Sequence, residues 1–122
     1  MVDPLCTSWH EVLPEEITPL IVRQYISTAA LTIARFQLKA GAHLALHSHG
    51  NEQVTHVLEG ALRFVFPDRE IVLHSGEVLS IPPWLPHEIF VLEDTLVLDT
   101  FTPPRLDWAQ GQDQYLRGMV AR

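Results

Sequence analysis

Residues 41–60 of the chain read GAHLALHSHGNEQVTHVLEG, and the spacing of polar side chains in this segment is the strongest indication of the fold. Successive side chains of a β-strand point to opposite sides, so residues two positions apart share a face. His47 and His49 can therefore offer two imidazoles to one ion, and Gln53 keeps the same parity if the strand resumes after a turn. His87 has to arrive from another strand, and with it the four residues form a candidate ligand set for a divalent metal inside a small β-barrel.

Length and charge indicate a single-domain protein whose partners are neither nucleic acids nor anionic membranes. The 122 residues are 47% hydrophobic, which is enough for a single core, so we expect one domain over residues 1–122. The 8 basic and 15 acidic residues give a formal charge of -7, which repels nucleic acids and anionic membranes at long range. We expect neither as a partner, and an anionic substrate has to be met by a local positive group.

The N-terminal residues predict no targeting signal. No basic patch precedes an apolar run, and Pro4, Pro14 and Pro19 interrupt the hydrophobic residues there. The single cysteine, Cys6, cannot form a disulfide within the chain, which fits a reducing compartment. The apolar runs are too short to cross a bilayer. We therefore expect a cytoplasmic protein.

From Tyr25 to Thr102, short stretches rich in Val, Ile, Leu, Phe and Thr are separated by Gly, Pro, Asp and Asn. This pattern is typical of strands joined by turns. Many short strands with no helical period between them favour an antiparallel sandwich or barrel over a βαβ fold. The predicted strands are 21–26, 31–38, 43–47, 53–58, 61–66, 69–73, 78–81, 87–91 and 95–102.

The end of the chain has a different pattern. Pro103 and Pro104 end the last strand, and the residues from Leu106 to Met119 are polar, poor in β-branched side chains and spaced as in a helix. The pattern predicts a short C-terminal helix packed on the outside of the barrel.

Two spaced motifs are similar to those of the cupin superfamily. They cover residues 41–60, with Gly41, His47, His49, Gln53 and Gly60, and residues 76–91, with Gly76, Pro82 and His87. The resemblance implies an all-β fold, a single jelly-roll barrel with a short C-terminal helix, and a divalent metal at its centre.

The chain departs from the commonest cupin residues at three positions. Cupins most often have Glu in place of Gln53, Gly in place of Trp84 and Asn in place of Val91. The first change bears on chemistry, because three neutral imidazoles and an amide leave the charge of a divalent ion uncompensated. Such a site attracts anionic oxygen ligands and acts as a strong Lewis acid. The ligand types do not select among Zn, Ni, Fe and Mn.

The remaining histidines are weaker candidates. His56 has the opposite parity to Gln53 and is expected to face away from the site. His43 shares the parity of His47, which leaves a pocket-lining role open, although a role outside the site is favoured.

The last predicted strand is apolar except for Asp99, and ionised carboxylates are rarely buried without a partner or a function. Asp99 and Phe101 share a face, which is the inner one if Leu96 and Leu98 pack outward. A general acid or base beside a substrate is the favoured interpretation of Asp99. The alternative is a carboxylate bonded to a loop backbone.

Arg105 follows two prolines that stiffen the approach to it. A guanidinium suits two-pronged contact with a carboxylate, so Arg105 is a candidate anchor for an anionic substrate. The alternative is a solvated arginine paired with Asp107 or Glu88.

A wider set of residues makes the chain similar to the KdgF group of small cupins. The set is His47-Ser48-His49, Glu52-Gln53, Leu58-Glu59-Gly60, Ile81-Pro82-Pro83, Pro86-His87 and residues 99–105. Members of that group act in pectin and alginate breakdown, where they help convert 4,5-unsaturated monouronates to linear, ketonised forms. The resemblance implies a small anionic sugar as substrate, His47, His49, Gln53 and His87 as metal ligands, Asp99 and Arg105 in catalysis, and Phe101 and Arg105 in substrate binding.

Two other functions stay open at this point. Many cupins with three histidines are metal-dependent dioxygenases, although such sites commonly add a Glu where this chain has Gln53. A non-catalytic sugar-binding module is the alternative from another class. Trp84 and Trp108 could stack on a sugar at the pocket mouth, yet core packing is the commoner role of tryptophan. The apolar segment before Tyr25 predicts an edge strand through which the chain forms a homodimer.

Overall fold

The computed structural model describes residues 3–118 of the chain. Ten strands, one short 3-10 helix at Trp9–Glu11 and two short α-helices make up its regular structure. The strands are β1 (Glu15–Thr18), β2 (Ile21–Ser27), β3 (Thr32–Leu38), β4 (His43–His47), β5 (Glu52–Glu59), β6 (Ala61–Phe66), β7 (Arg69–His74), β8 (Val78–Ile81), β9 (His87–Val91) and β10 (Thr95–Thr102). The helices are α1 (Leu106–Ala109) and α2 (Gln114–Arg117).

The strands form two antiparallel sheets. One sheet has six strands in the order β1-β2-β3-β10-β5-β8, and the other has four in the order β4-β9-β6-β7. Inner-facing side chains of both sheets, such as Phe36 and Phe64, belong to one hydrophobic core. The all-β jelly-roll prediction is confirmed. The first and last residues of each of the nine predicted strands lie within one residue of those observed.

Strand β1 is additional to the nine strands predicted by residue range, and it forms one edge of the six-stranded sheet. An edge strand was expected in this part of the chain. Ile17 on β1 is buried in the core, while Glu15 and Glu16 are exposed and place charge at the edge. A homodimer formed through this edge stays a prediction.

Strand β4 does not keep a strict two-residue alternation. Its pairing with β9 shifts register between Leu44 and His47. His43 therefore lies on the exposed side although it has the parity of His47, and it contacts Glu88 and stacks on Phe90. The structure gives His43 a place outside the site, which is the role that the sequence favoured.

The C-terminal segment differs from the single outer helix that the sequence predicts. Two four-residue helices replace it, with Gly111 between them at a φ of 74° that only glycine adopts at little cost. Trp108 and Leu116 are buried in the core, because their apolar surface gains more inside the sheets than on the surface. The predicted end of the helix at Met119 lies outside the described residues.

Buried charges join this segment to the first strands. Arg23 of β2 has a fully buried side chain, which pairs with Glu15 at 3.2 Å and with Asp113 at 3.1 Å. Its guanidinium also lies 4.6 Å from the ring centroid of Trp108. Arg117 holds the other oxygen of Asp113 at 2.8 Å. Ion pairs and stacking therefore hold α1 and α2 at one end of the sheets.

The two α-helices, with four residues each, are far shorter than a bilayer requires, and no helix among residues 3–118 is long and apolar enough to span a membrane.

Candidate metal centre

Three histidines converge at one end of the sheets. His47 ends β4, His49 lies in the loop that follows, and His87 begins β9 directly opposite His47. Their candidate ligand nitrogens all lie within 4.8 Å of one another. The β4–β9 register explains two of the three positions, because paired residues of neighbouring strands point to the same side.

Hydrogen bonds fix the tautomer of each imidazole. Nδ1 of His47, His49 and His87 donates to the carbonyl oxygens of Ala45, Asn51 and Leu85 at 2.7, 3.2 and 2.8 Å. A carbonyl can only accept, so each Nδ1 carries the proton and each Nε2 keeps a free lone pair. Nε2 of His87 is buried without a hydrogen-bond partner among residues 3–118. An orphaned buried lone pair beside two similar ones fits a divalent metal.

The protein environment keeps these imidazoles neutral. Burial, with help from the neighbouring His87, lowers the pKa of His47 to about 3. Burial and the charge of Arg105 lower the pKa of His49 to about 4, and burial also lowers the pKa of His87. Metal binding requires the deprotonated ring, so at neutral pH the site needs no proton release before it binds an ion.

Gln53 supplies a fourth donor atom. Its Oε1 lies 3.1 Å from Nε2 of His49, and its Nε2 donates to the hydroxyl of Thr55 at 2.9 Å and to Asp99 at 3.4 Å. Two lone-pair atoms, Oε1 and the histidine nitrogen, therefore face each other. A cation bound between them removes the repulsion, so the amide orientation also fits the metal.

Asp99 lies behind Gln53 on the inner face of β10. It is buried, and the Thr55 hydroxyl donates to its Oδ1 at 2.6 Å. Burial raises the pKa of Asp99 to about 6, and the hydrogen bonds from Thr55 and Gln53 limit the rise. Its partners are side chains, and the loop-backbone contact that the sequence left open is not among its hydrogen bonds in the described chain.

Arg105 is buried and already paired. Its guanidinium donates to both oxygens of Asp107 at 2.9 and 2.7 Å, and to the hydroxyl of Tyr115 at 3.1 Å. It also lies 4.6 Å from the ring centroid of Phe101. The pair with Asp107 was one alternative from the sequence, which expected a solvated arginine, but the Arg105 side chain is only 1% exposed, whereas that of Asp107 is 31% exposed.

Tyr115 is a residue of the site that the sequence did not single out. Its ring stacks on His47 with centroids 4.0 Å apart, and its hydroxyl accepts from Arg105 and from the indole of Trp108. The positions of Trp108, Tyr115 and Leu116 are seven and eight residues apart, which marks one helical face. That spacing was the available signal, although it does not say that the face is turned inward.

The free space between the side chains of the site is small. A cavity of about 20 Å³ is lined by His47, Gln53, Asp99, Arg105 and Tyr115, among others. This volume accommodates about one water molecule. Phe101, Trp108 and Leu116 fill the rest of the interior.

A model of the cupin domain matches residues 34–100, which include all four predicted ligands. Among curated proteins none matches significantly.

Several solved structures share the fold. KdgF from Halomonas sp. is 27% identical with a TM-score of 0.75, over 81% of this chain and 94% of that chain. An RmlC-like cupin from Desulfovibrio desulfuricans is 35% identical with a TM-score of 0.62, over 70% of this chain and 84% of that chain. An RmlC-like cupin from Shewanella frigidimarina has a TM-score of 0.79 at 24% identity, over 87% and 96% of the two chains.

The family model covers more than half of the sequence, and the matched structures are covered over most of their own length. Outside the match, β1 and β2 add two strands to the six-stranded sheet. The chain is therefore a member of the cupin family and a small cupin that resembles KdgF.

Proposed function

We propose that this cupin is a metal-dependent enzyme that opens and ketonises a 4,5-unsaturated monouronate, a small anionic sugar. The three-histidine cluster and the likeness to KdgF support a metal-dependent cupin enzyme. The observation that carries the finer proposal is the contact of Gln53, a neutral fourth donor, with the buried carboxyl of Asp99. This contact supports the proposal, because a cation held by Gln53 would have no anionic ligand and would lie next to a group able to accept and donate protons.

The reaction needs proton transfers and no redox change. The anomeric hydroxyl loses a proton and becomes the aldehyde oxygen as the bond between C1 and the ring oxygen breaks, and the ring oxygen gains a proton to become the hydroxyl of an enol. The enol then loses its proton while C4 gains one, which gives the ketone. A carboxyl whose pKa is about 6 can both accept and donate protons near neutral pH, as Asp99 is proposed to do.

The other residues of the site bind and orient the substrate or hold the metal. Arg105 pairs with the substrate carboxylate, a contact that Asp107 now makes, and Phe101 forms part of the wall. When bound by His47, His49, Gln53 and His87, a divalent ion supplies Lewis acidity toward an anionic oxygen.

Access to this site requires a local movement. The cavity of about 20 Å³ is much smaller than a monosaccharide, and Tyr115 covers His47. These two residues are the partly exposed members of the cavity lining, so a movement of Tyr115 would widen the cavity toward solvent. A substrate ring reaches Asp99 only after Tyr115 leaves its stack on His47.

The test follows unsaturated galacturonate and its guluronate or mannuronate counterpart by NMR, with and without the protein, while bound metal is assayed. We expect faster loss of the cyclic form of one substrate. Substrate binding without any change in the ring form would indicate a sugar-binding module, and oxygen consumption would indicate a dioxygenase.

Asp99→Asn tests the acid-base role. The asparagine carbonyl can still accept from Thr55 and Gln53, so we expect metal content to stay unchanged and turnover to disappear. Joint loss of metal and turnover would instead make Asp99 a structural residue.

A further inference from the structure

Trp84 combines an exposed indole with a backbone conformation that tryptophan rarely adopts. Its side chain is 68% exposed, and its φ is 66°, the one positive φ among the non-glycine residues of the described chain. The left-handed region is unfavourable for bulky residues, and such outliers concentrate at binding and active sites.

The local turn explains the conformation. Pro83 and Trp84 are the central residues of a turn in which the amide of Leu85 donates to the carbonyl of Pro82 at 3.4 Å. Proline at the second position and a positive φ at the third are features of a type II turn, whose third residue is normally glycine. Cupins most often have Gly at the position of Trp84, so this chain keeps the turn and replaces its preferred residue with an indole.

The indole is held in place although it is exposed. The amide of Trp84 donates to the carbonyl of His49 at 2.8 Å. Its ring lies against Gly50 so closely that a Cβ at position 50 would come within 2.9 Å of Cζ2. A side chain at position 50 would therefore push the indole aside, and in the present arrangement the ring lies next to the candidate metal ligand His49.

A groove of about 320 Å³ lies at this place. It is lined by Ser48, His49, Gly50, Asn51, Trp84 and Pro104, with Leu106 and Asp107 beyond them. The volume falls at the lower end of the range for small-molecule sites and is about sixteen times that of the cavity beside the three histidines. The groove therefore has room for a sugar ring where the interior has none.

The chemistry of the groove suits a pyranose. The indole offers a flat apolar face for the C–H side of a ring, and the Ser48 hydroxyl and the Asp107 carboxylate can bond sugar hydroxyls. Asp107 is paired with Arg105, so the groove does not present an unpaired negative charge to an acidic sugar.

We infer that Trp84 is the stacking platform of a sugar-binding subsite in this groove, next to His49, where a pyranose ring of a uronate binds before it reaches the candidate metal centre. The inference rests on the proposed function for the identity of the sugar. It also explains why a strained tryptophan occupies the position of a glycine.

The experiment measures galacturonate binding by calorimetry, which needs no turnover. Trp84→Gly removes the ring and relieves the strain, so we expect a Kd about tenfold higher than that of the wild type, a Tm about 4 °C higher and unchanged metal content. Gly50→Ala displaces the indole while Trp84 stays in the sequence, and we expect a similar rise in Kd. Trp84→Phe keeps a flat ring and should recover part of the affinity.

Leu92→Ala is the matched control, because Leu92 is an exposed apolar residue outside the groove and should leave the Kd unchanged. An unchanged Kd in both Trp84→Gly and Gly50→Ala overturns the inference, as does a wild type that does not bind galacturonate. If Trp84→Gly lowers the Tm and leaves the Kd unchanged, the indole contributes to packing and not to sugar binding, and the inference is overturned.

Turnover of unsaturated uronates separates the two hypotheses. A wild type without turnover whose galacturonate affinity still depends on Trp84 contradicts the proposed function and supports the subsite. Turnover with an unchanged KM in Trp84→Gly supports the function and contradicts the subsite.

Discussion

At the scale of single residues, the amide of Gln53 depends on two neighbours. An amide can present either its oxygen or its nitrogen to a metal, and only the oxygen is a good ligand. Thr55 accepts from the amide nitrogen and donates to Asp99, so the hydroxyl fixes both groups. The oxygen of Gln53 is left facing His49.

Thr55→Val tests this orientation. Valine has nearly the shape of threonine but no hydroxyl, so Gln53 loses an acceptor and its oxygen is held less firmly. We expect metal affinity to fall about tenfold, the lower end of the effect of outer partners on metal sites. Competition with a chelator measures the Kd for Zn²⁺ and Ni²⁺.

Thr100→Val is the control, because Thr100 is a half-buried residue on the outer face of β10. It should leave both affinities unchanged. Equal metal affinity in Thr55→Val and the wild type would mean that Thr55 does not position a ligand.

The residues of the site differ in how far sequence could reveal them. His47, His49, Gln53 and His87 could be proposed because their types and spacing carry a chemical meaning. Thr55 could not, since its role follows from its pairing with Asp99 across β5 and β10. A one-residue change in that register would turn its side chain to the other face of the sheet.

At the scale of elements, strands were predictable because their hydrophobic period and turn residues are local features. The parity of His43 was misleading, since the shift of register in β4 cannot be read from residue types. The prediction of a helix on the outside of the barrel was wrong for a similar reason. Its pattern indicates one apolar face, but the direction of that face depends on Trp108 finding space between the sheets.

Trp108→Ala tests whether this segment belongs to the core. The indole is 4% exposed and contacts Tyr25, Phe36 and Phe101 edge-on, at centroid distances of 5.2 to 5.8 Å. We expect the free energy of unfolding to fall by about 3–5 kcal/mol, as for other large core residues. Urea denaturation at pH 7 measures it.

Leu106→Ala supplies the comparison within the same helix. Leu106 is 66% exposed, so its truncation should change the free energy of unfolding by less than about 0.5 kcal/mol. Similar small losses in both variants would place α1 on the outside, as the sequence predicted.

At the scale of the whole molecule, a network of ion pairs around the buried residues Arg23 and Asp113 joins the first strands to the last helix. Arg23 contacts Glu15 of β1 and Asp113, which is held in turn by Arg117 of α2. These residues are far apart in the sequence, and a buried guanidinium is costly without partners. The C-terminal segment, which carries Tyr115 of the site, is therefore attached through these ion pairs to the edge of the six-stranded sheet.

Asp113→Asn tests this dependence through pH. Hydrogen bonding from Arg117, aided by the charge of Arg23, lowers the pKa of Asp113 below its ordinary value. A lowered carboxyl pKa stabilises the fold above the unfolded value of about 4, and this contribution is lost as pH falls through the lower folded pKa. The amide of the variant does not titrate, so the wild type should be more stable by about 3 kcal/mol at pH 7, and this advantage should shrink below pH 4.

Urea unfolding at pH 7, 5, 4 and 3 measures the difference between the two proteins. Asp68→Asn is the control, because Asp68 and its partner Arg69 are about 70% exposed and such pairs contribute little. A stability difference for Asp113→Asn that stays constant from pH 7 to pH 3 would mean that its carboxylate charge does not support the network. Arg23 would then owe its stability to Glu15 and to the ring of Trp108, and the two ends of the chain would be joined by packing alone.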